Sequence, residues 1–222
     1  MPATLHYIYD PLCGWCYCAE PLVNAADSVA GLTVRMHGGG LWPDPTRLPA
    51  ETREYIRQMD ERAARISGQP YGAAYLDGLL TDPTMTLESR PTTAAVLAAE
   101  SLGEGLGLRM LRGIQHAHYE RGLRVVEPAV LEQIAGEIGL DPTRFREAMT
   151  AVPVDQHIIN TRRLMQQIGA GGFPAFVLEV EDQWFAVPHQ RFASDPGGFG
   201  EWLERAIVPA RNEVRQTTES GA

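Results

Sequence analysis

The chain has 222 residues, 44% of them hydrophobic and 21% charged, with a net charge of −9. A chain this long can bury roughly 70% of its unfolded surface in one core without disulfide staples, so its cysteines are more useful as chemistry than as framework. All nineteen basic residues are arginines, which excludes a Schiff-base lysine and a phosphate-loop lysine, and the acidic balance argues against a nucleic-acid partner. There is no run of eighteen apolar residues to form a membrane-spanning helix.

Met1 to Asp10 has neither a basic leader nor an apolar core of the kind that marks a signal peptide. The expectation is a cytoplasmic protein, in which a Cys-x-x-Cys pair cycles more often than it locks. Leu5 to Tyr9 is β-favouring and ends at Asp10-Pro11, which predicts a central strand followed by a turn. Tyr17 to Ala30 repeats Leu22, Val23, Ala26 and Val29 at helical spacing, with Pro21 expected to bend the axis and Gly31 to end it. Leu32 to His37 alternates as a second strand, giving a βαβ unit if the two are parallel. Leu41 to Pro45 breaks the pattern and reads as the exit into a different part of the molecule.

From about Pro49 to Ala151 the signals are helical, over residues 51–66, 92–102, 107–121, 128–138 and 142–150. Pro128 and Pro142 suit first-turn positions and Asp141 suits a cap, while Tyr71 to Leu80 is ambiguous because glycines interrupt it. A helix follows from Asp155, its expected cap, to Ile168. Phe173 to Val180 then places a proline ahead of an apolar strand, a turn at Asp182-Gln183 leads to a partner strand over 184–187, and Asp195-Pro196 opens a last helix burying Phe199, Trp202, Leu203 and Ile207. The polar end from Pro209 to Ala222 is expected to be mobile.

All three cysteines fall within Asp10-Pro11-Leu12-Cys13-Gly14-Trp15-Cys16-Tyr17-Cys18. Two thiols separated by two residues at a strand-to-helix junction can reach each other, and the unpartnered N–H groups of a helix start favour a thiolate at Cys13. The order of elements, the motif from Asp10 to Cys16 and Gly172-Phe173-Pro174 some 160 residues later resemble the DsbA family. Within it the chain is similar to the cytosolic FrnE-like group, predicted protein-disulfide isomerases. The resemblance implies an α/β fold: a thioredoxin-like domain over 1–43 and 155–208, an all-helical insertion over 44–154, and a tail over 209–222. It further implies that Cys13 is the nucleophile, Cys16 the resolving thiol and Pro174 a cis proline, with disulfide-containing proteins or peptides as partners. No tightly bound cofactor and no metal are expected, although glutathione or a thioredoxin-type thiol could recharge the pair.

The surrounding residues leave alternatives open. Trp15, Tyr17, Trp42 and Phe173 could line an apolar groove for substrate. Asp10 could hold the loop by accepting backbone N–H groups, or pass a proton to Cys16. Cys18, about 200° round the helix from Cys16, reads as a buried core residue, a regulatory thiol or part of a metal site completed by His6 or His37. His116 and His118 do not share a helical face, and His157 and His189 read as polar or capping residues. Gly14-Trp15 adds no charge, so the dipeptide does not set the direction of electron flow. Two rival functions remain: a glutathione-dependent transferase or isomerase on the same fold, and a thiol-based metal or redox sensor.

Overall fold

The computed structural model describes residues 3–219, with side chains as far as Ile207. Strand β1 (Ala3–Tyr9) is buried at all but one position, the signature of a strand covered on both faces. It lies at the centre of a four-stranded sheet of order β2-β1-β3-β4. Strand β2 (Leu32–Gly38) pairs with it in parallel, with Leu5 opposite Val34. On the other side β3 (Ala175–Val180) runs antiparallel, with Tyr7 opposite Phe176, and β4 (Gln183–Ala186) forms the edge.

Between β1 and β2 the expected single helix is two: α1 (Gly14–Cys18) and α2 (Glu20–Asp27). Pro21 is the reason, because it has no N–H to donate and its ring collides with the carbonyl four residues earlier. The helix restarts after Ala19 and takes the proline into its first turn. The β3–β4 turn also falls one residue earlier than expected. Glu181 and Asp182 both have positive φ, 51° and 62°, as a two-residue hairpin turn of the twist-matching type requires, so Gln183 already belongs to the strand.

The chain leaves β2 for α3 (Ala50–Ser67), α4 (Ser89–Leu102), α5 (Leu106–Tyr119), α6 (Pro128–Glu137) and α7 (Pro142–Ala151). The ambiguous stretch resolves into single turns at Ala74–Gly78 and Leu79–Thr81. Asp141 caps α7 by accepting from the N–H groups of Thr143 and Arg144 at 3.0 and 2.8 Å. Asp155 does not cap α8 (Val154–Gln167), which begins one residue before it. Its carboxylate instead takes a bidentate ion pair from Arg90 of α4, at 2.8 and 3.1 Å.

Helix α9 (Pro196–Glu219) is capped by Asp195, which accepts from Gly198 N at 2.9 Å, and its Phe199 is fully buried against Phe176 under the sheet. The helix runs beyond Pro209, so the expected tail is helical as far as Glu219, and residues 220–222 lie outside the described residues. The strong helix formers Ala210, Arg211, Glu213, Arg215 and Gln216 account for that continuation.

The insertion is fastened to the first helices by polar contacts. The Tyr17 hydroxyl lies 2.8 Å from both Pro70 O and Glu120 Oε1, and its ring stacks on Tyr119 at 5.0 Å. Buried Glu20 accepts from Gln69 Nε2 at 3.1 Å and meets His116 Nε2 at 2.9 Å. This seam fixes the insertion over one side of α1.

Candidate active site

The end of β1 delivers the chain into a loop that Asp10 holds from inside. Its carboxylate is fully buried and accepts from Leu12 N at 2.9 Å through Oδ1 and from Leu41 N at 2.7 Å through Oδ2. One side chain thus ties the loop before Cys13 to the segment after β2. Burial raises the Asp10 pKa, and the hydrogen bonds from Leu41, Ser89 and Leu12 pull it back. Removing the carboxylate leaves one buried donor, Leu12 N–H, and one part-buried donor, Leu41 N–H, without their acceptor, at a cost of about 1–3 kcal/mol for a buried group and less for a part-buried one. Asp10→Ala should therefore lower unfolding stability by about 2–4 kcal/mol, read from the urea midpoint. Asp10→Asn, which keeps one acceptor, should lose less.

Cys13 occupies the residue before α1, where its carbonyl accepts from Cys16 N and Tyr17 N at 2.9 and 3.0 Å. It is 7% exposed, whereas Cys16, one turn further in, is 0% exposed. Burial pushes the Cys16 thiol well above its ordinary range, and its hydrogen bond with Cys13 pushes the same way. All three cysteines are free thiols.

The second half of the site comes from the other end of the sequence. The Phe173-Pro174 bond ahead of β3 is cis, and the Cys13 Sγ lies 3.8 Å from the Phe173 carbonyl oxygen. The Phe173 ring turns elsewhere: it packs against Gly39, where an added Cβ would come within 2.3 Å of it, under the Arg162 guanidinium at 5.1 Å. Only glycine leaves room for the ring at that point. Arg162 also donates to Gly40 O, and nothing in the sequence had marked this helix-surface arginine.

Trp15 is 37% exposed and lines two cavities. One, about 290 Å³, contains Cys13, Gly14, Trp42, Asp60 and Tyr75. The other, about 490 Å³, contains Cys18, Arg62, Phe173 and Pro174. Trp15 and Trp42 thus line the cavity that holds Cys13, with Trp42 Nε1 donating to Leu12 O at 3.4 Å, whereas Phe173 meets Cys13 through its carbonyl alone and lines the second cavity with Pro174. Tyr17 does not join them. It is fully buried in the seam with the insertion, because its hydroxyl finds its partners there.

A model of the DSBA-like thioredoxin domain matches residues 4–195. The chain belongs to this family. It is similar to the solved structure of the cytosolic disulfide reductase DsbM from Pseudomonas aeruginosa, with 45% identity, a TM-score of 0.86, and 92% of this chain and 98% of that one covered. The same reductase solved with GSH gives 43% identity and a TM-score of 0.83 over 92% and 98%. A 2-hydroxychromene-2-carboxylate isomerase shares the fold alone, at 14% identity and a TM-score of 0.58 over 99% and 100%. No curated protein sequence matches the chain.

The DSBA-like frame separates the remaining candidates from the dithiol. Cys18 is buried, its sulfur 3.4 Å from the Tyr71 hydroxyl, and burial raises its pKa. His6 and His37 are engaged elsewhere: His6 Nδ1 meets His37 Nε2 at 2.9 Å and His6 Nε2 meets Glu179 Oε2 at 2.9 Å, on adjacent strands of the sheet. Among the described residues no group of three or more His, Cys, Asp or Glu side chains is arranged to hold a metal ion. His116 takes part in the Glu20 seam, while His118 is buried against Tyr75. The His157 Nε2 accepts from Gly38 N at 3.0 Å, and His189 Nδ1 lies 3.3 Å from Val187 O.

Proposed function

We propose that the chain is a thiol–disulfide oxidoreductase that reduces or rearranges disulfides of proteins or peptides through Cys13 and Cys16, in the cytoplasm, with glutathione or a thioredoxin-type protein returning it to the dithiol. The observation that carries this reading is the juxtaposition of the least buried thiol of the pair, Cys13, with the carbonyl of Phe173 in the cis-proline loop. An extended substrate chain can pair with that backbone edge, which Pro174 leaves without a donor of its own, while Trp15 and Trp42 cover its apolar side chains. The likeness to a reductase at 45% identity favours reduction as the working direction.

In that direction the Cys13 thiolate attacks a substrate sulfur, and a Cys13–substrate disulfide replaces the substrate's own. Cys16 then attacks Cys13, forming the Cys13–Cys16 disulfide and releasing the second substrate thiol. Two electrons pass from the pair to the substrate, and a second dithiol or two glutathione molecules return them.

The test combines thiol counting with turnover. Mild oxidation should remove two of the three titratable thiols without metal release, and the chain with reduced glutathione should reduce insulin disulfides catalytically. Loss of a single thiol, or glutathione addition to a carbon substrate with no disulfide turnover, would overturn the reading in favour of the transferase or isomerase class.

A further inference from the structure

We propose that Asp60, on α3 of the insertion, is a general acid that protonates the sulfur leaving the substrate disulfide when Cys13 attacks. The inference rests on the exchange reading above and assigns a chemical task to the insertion.

Asp60 is 5% exposed, yet no cation pairs with it among the described residues. Its one hydrogen bond is from the Tyr75 hydroxyl to Oδ2, at 2.7 Å. The other carboxylate oxygen is directed at the dithiol turn: a Cβ added to Gly14 would lie 2.1 Å from Asp60 Oδ1. Glycine between the cysteines is what lets the acid approach so closely. Asp60 and Cys13 line the same cavity of about 290 Å³, which has room for a departing thiol and its side chain. The groups that face the carboxyl are Cys13 just before α1, Gly14 and Cys18 of α1, Tyr71 and Tyr75 before α4, and His118 and Tyr119 of α5. None of these carries a positive charge at neutral pH, since burial lowers the His118 pKa to about 4.

A buried acid with one neutral hydrogen bond costs folding free energy and returns little to the structure. What it supplies is a proton. Burial raises the Asp60 pKa to about 7, so a substantial share of the carboxyl remains protonated in the cell, whereas an ordinary aspartate near 3.9 is almost wholly ionised. Transfer from an acid near 7 to an alkyl thiolate, whose conjugate acid lies at about 8.5, runs downhill.

The step balances. The new Cys13–substrate S–S bond forms as the substrate S–S bond breaks, the electron pair stays on the departing sulfur, and the Asp60 proton neutralises it. A free thiol and an Asp60 carboxylate result. Solvent reaching the cavity then restores the proton.

The test compares two disulfides on the full chain. An alkyl disulfide, such as a cystine-containing peptide, expels a thiolate that needs a proton. An aromatic disulfide, such as dithiobis(nitrobenzoate), expels a thiolate that leaves without one. Asp60→Asn keeps the volume and an acceptor for Tyr75 but has no proton to give. It should slow exchange with the alkyl disulfide by about 100-fold and leave the aromatic rate nearly unchanged. In the wild type the alkyl-to-aromatic rate ratio should fall as pH rises through about 7, and in the variant it should be flat. Equal slowing of both disulfides, or of neither, overturns the role of Asp60 while leaving the exchange reading intact. A wild type that reduces neither disulfide overturns both.

Discussion

Replacing Cys16 by serine is expected to stop turnover at the first exchange, with substrate held on Cys13 as a mixed disulfide that survives non-reducing electrophoresis and disappears with dithiothreitol. Cys13 keeps its edge position and its view of the Phe173 carbonyl, so attack is unimpaired. What is lost is the internal thiol one turn away whose attack on Cys13, in the proposed exchange, ends the intermediate. Cys16 is fully buried, and serine fits its volume, so the fold should survive the change. Cys13→Ser should behave differently, with neither adduct nor activity, because a hydroxyl does not displace a thiolate from a disulfide under these conditions. Peptide mapping decides between the thiols. An adduct on Cys18 in the Cys16→Ser protein, or insulin reduction that persists in the Cys13→Ser protein, would break the assignment of nucleophile and resolving thiol.

The thiol pair was legible because its spacing is local: Cys13 and Cys16 sit three residues apart at a helix start. The cis bond at Phe173-Pro174 and its place beside that pair were legible only through the resemblance to the DsbA family, because no local rule joins segments about 160 residues apart. The βαβ unit, the capped α7 and the last helix were legible for the same reason as the thiol pair: apolar spacing and capping residues act over a few positions. The misplaced details are those in which one residue's environment outweighs its propensity. Asp155 is an acceptable cap in isolation, but Arg90, sixty-five residues earlier, draws it into an ion pair. Tyr17 is an aromatic beside the thiols in sequence, yet its hydroxyl takes it into the seam with Pro70 and Glu120. Asp60 carried no signal at all. It is one acid on an amphipathic helix, and only the docking of that helix onto Gly14 gives it a place in the site.

That docking has a thermodynamic signature, and it runs against ordinary expectation for a buried side chain: Asp60→Asn should stabilise the protein at neutral and alkaline pH. In the wild type the folded-state pKa of Asp60 is about 7, against about 3.9 unfolded. Below pH 4 both states are protonated and the stability associated with this group is fully present. As pH rises from about 4 to 7 the unfolded chain releases the proton first, so stability is lost at up to about 1.4 kcal/mol per pH unit, amounting to about 4 kcal/mol by pH 8. The histidines act in the opposite sense. Burial lowers the pKa of His37 to about 3 and of His118 to about 4, and the stability they contribute is lost as pH falls below about 6.5. The pH profile of either protein alone therefore mixes the two trends. Subtracting one profile from the other removes the histidines, which both proteins share. Urea unfolding should show Asp60→Asn ahead by about 1 to 2 kcal/mol at pH 5 and by about 4 kcal/mol at pH 8. A difference that does not grow with pH, or a variant weaker than the wild type at pH 8, would mean that the carboxyl is held in place by contacts worth more than its burial costs. A growing difference, together with loss of alkyl-disulfide exchange, would show stability given up at Asp60 in return for a proton beside Cys13.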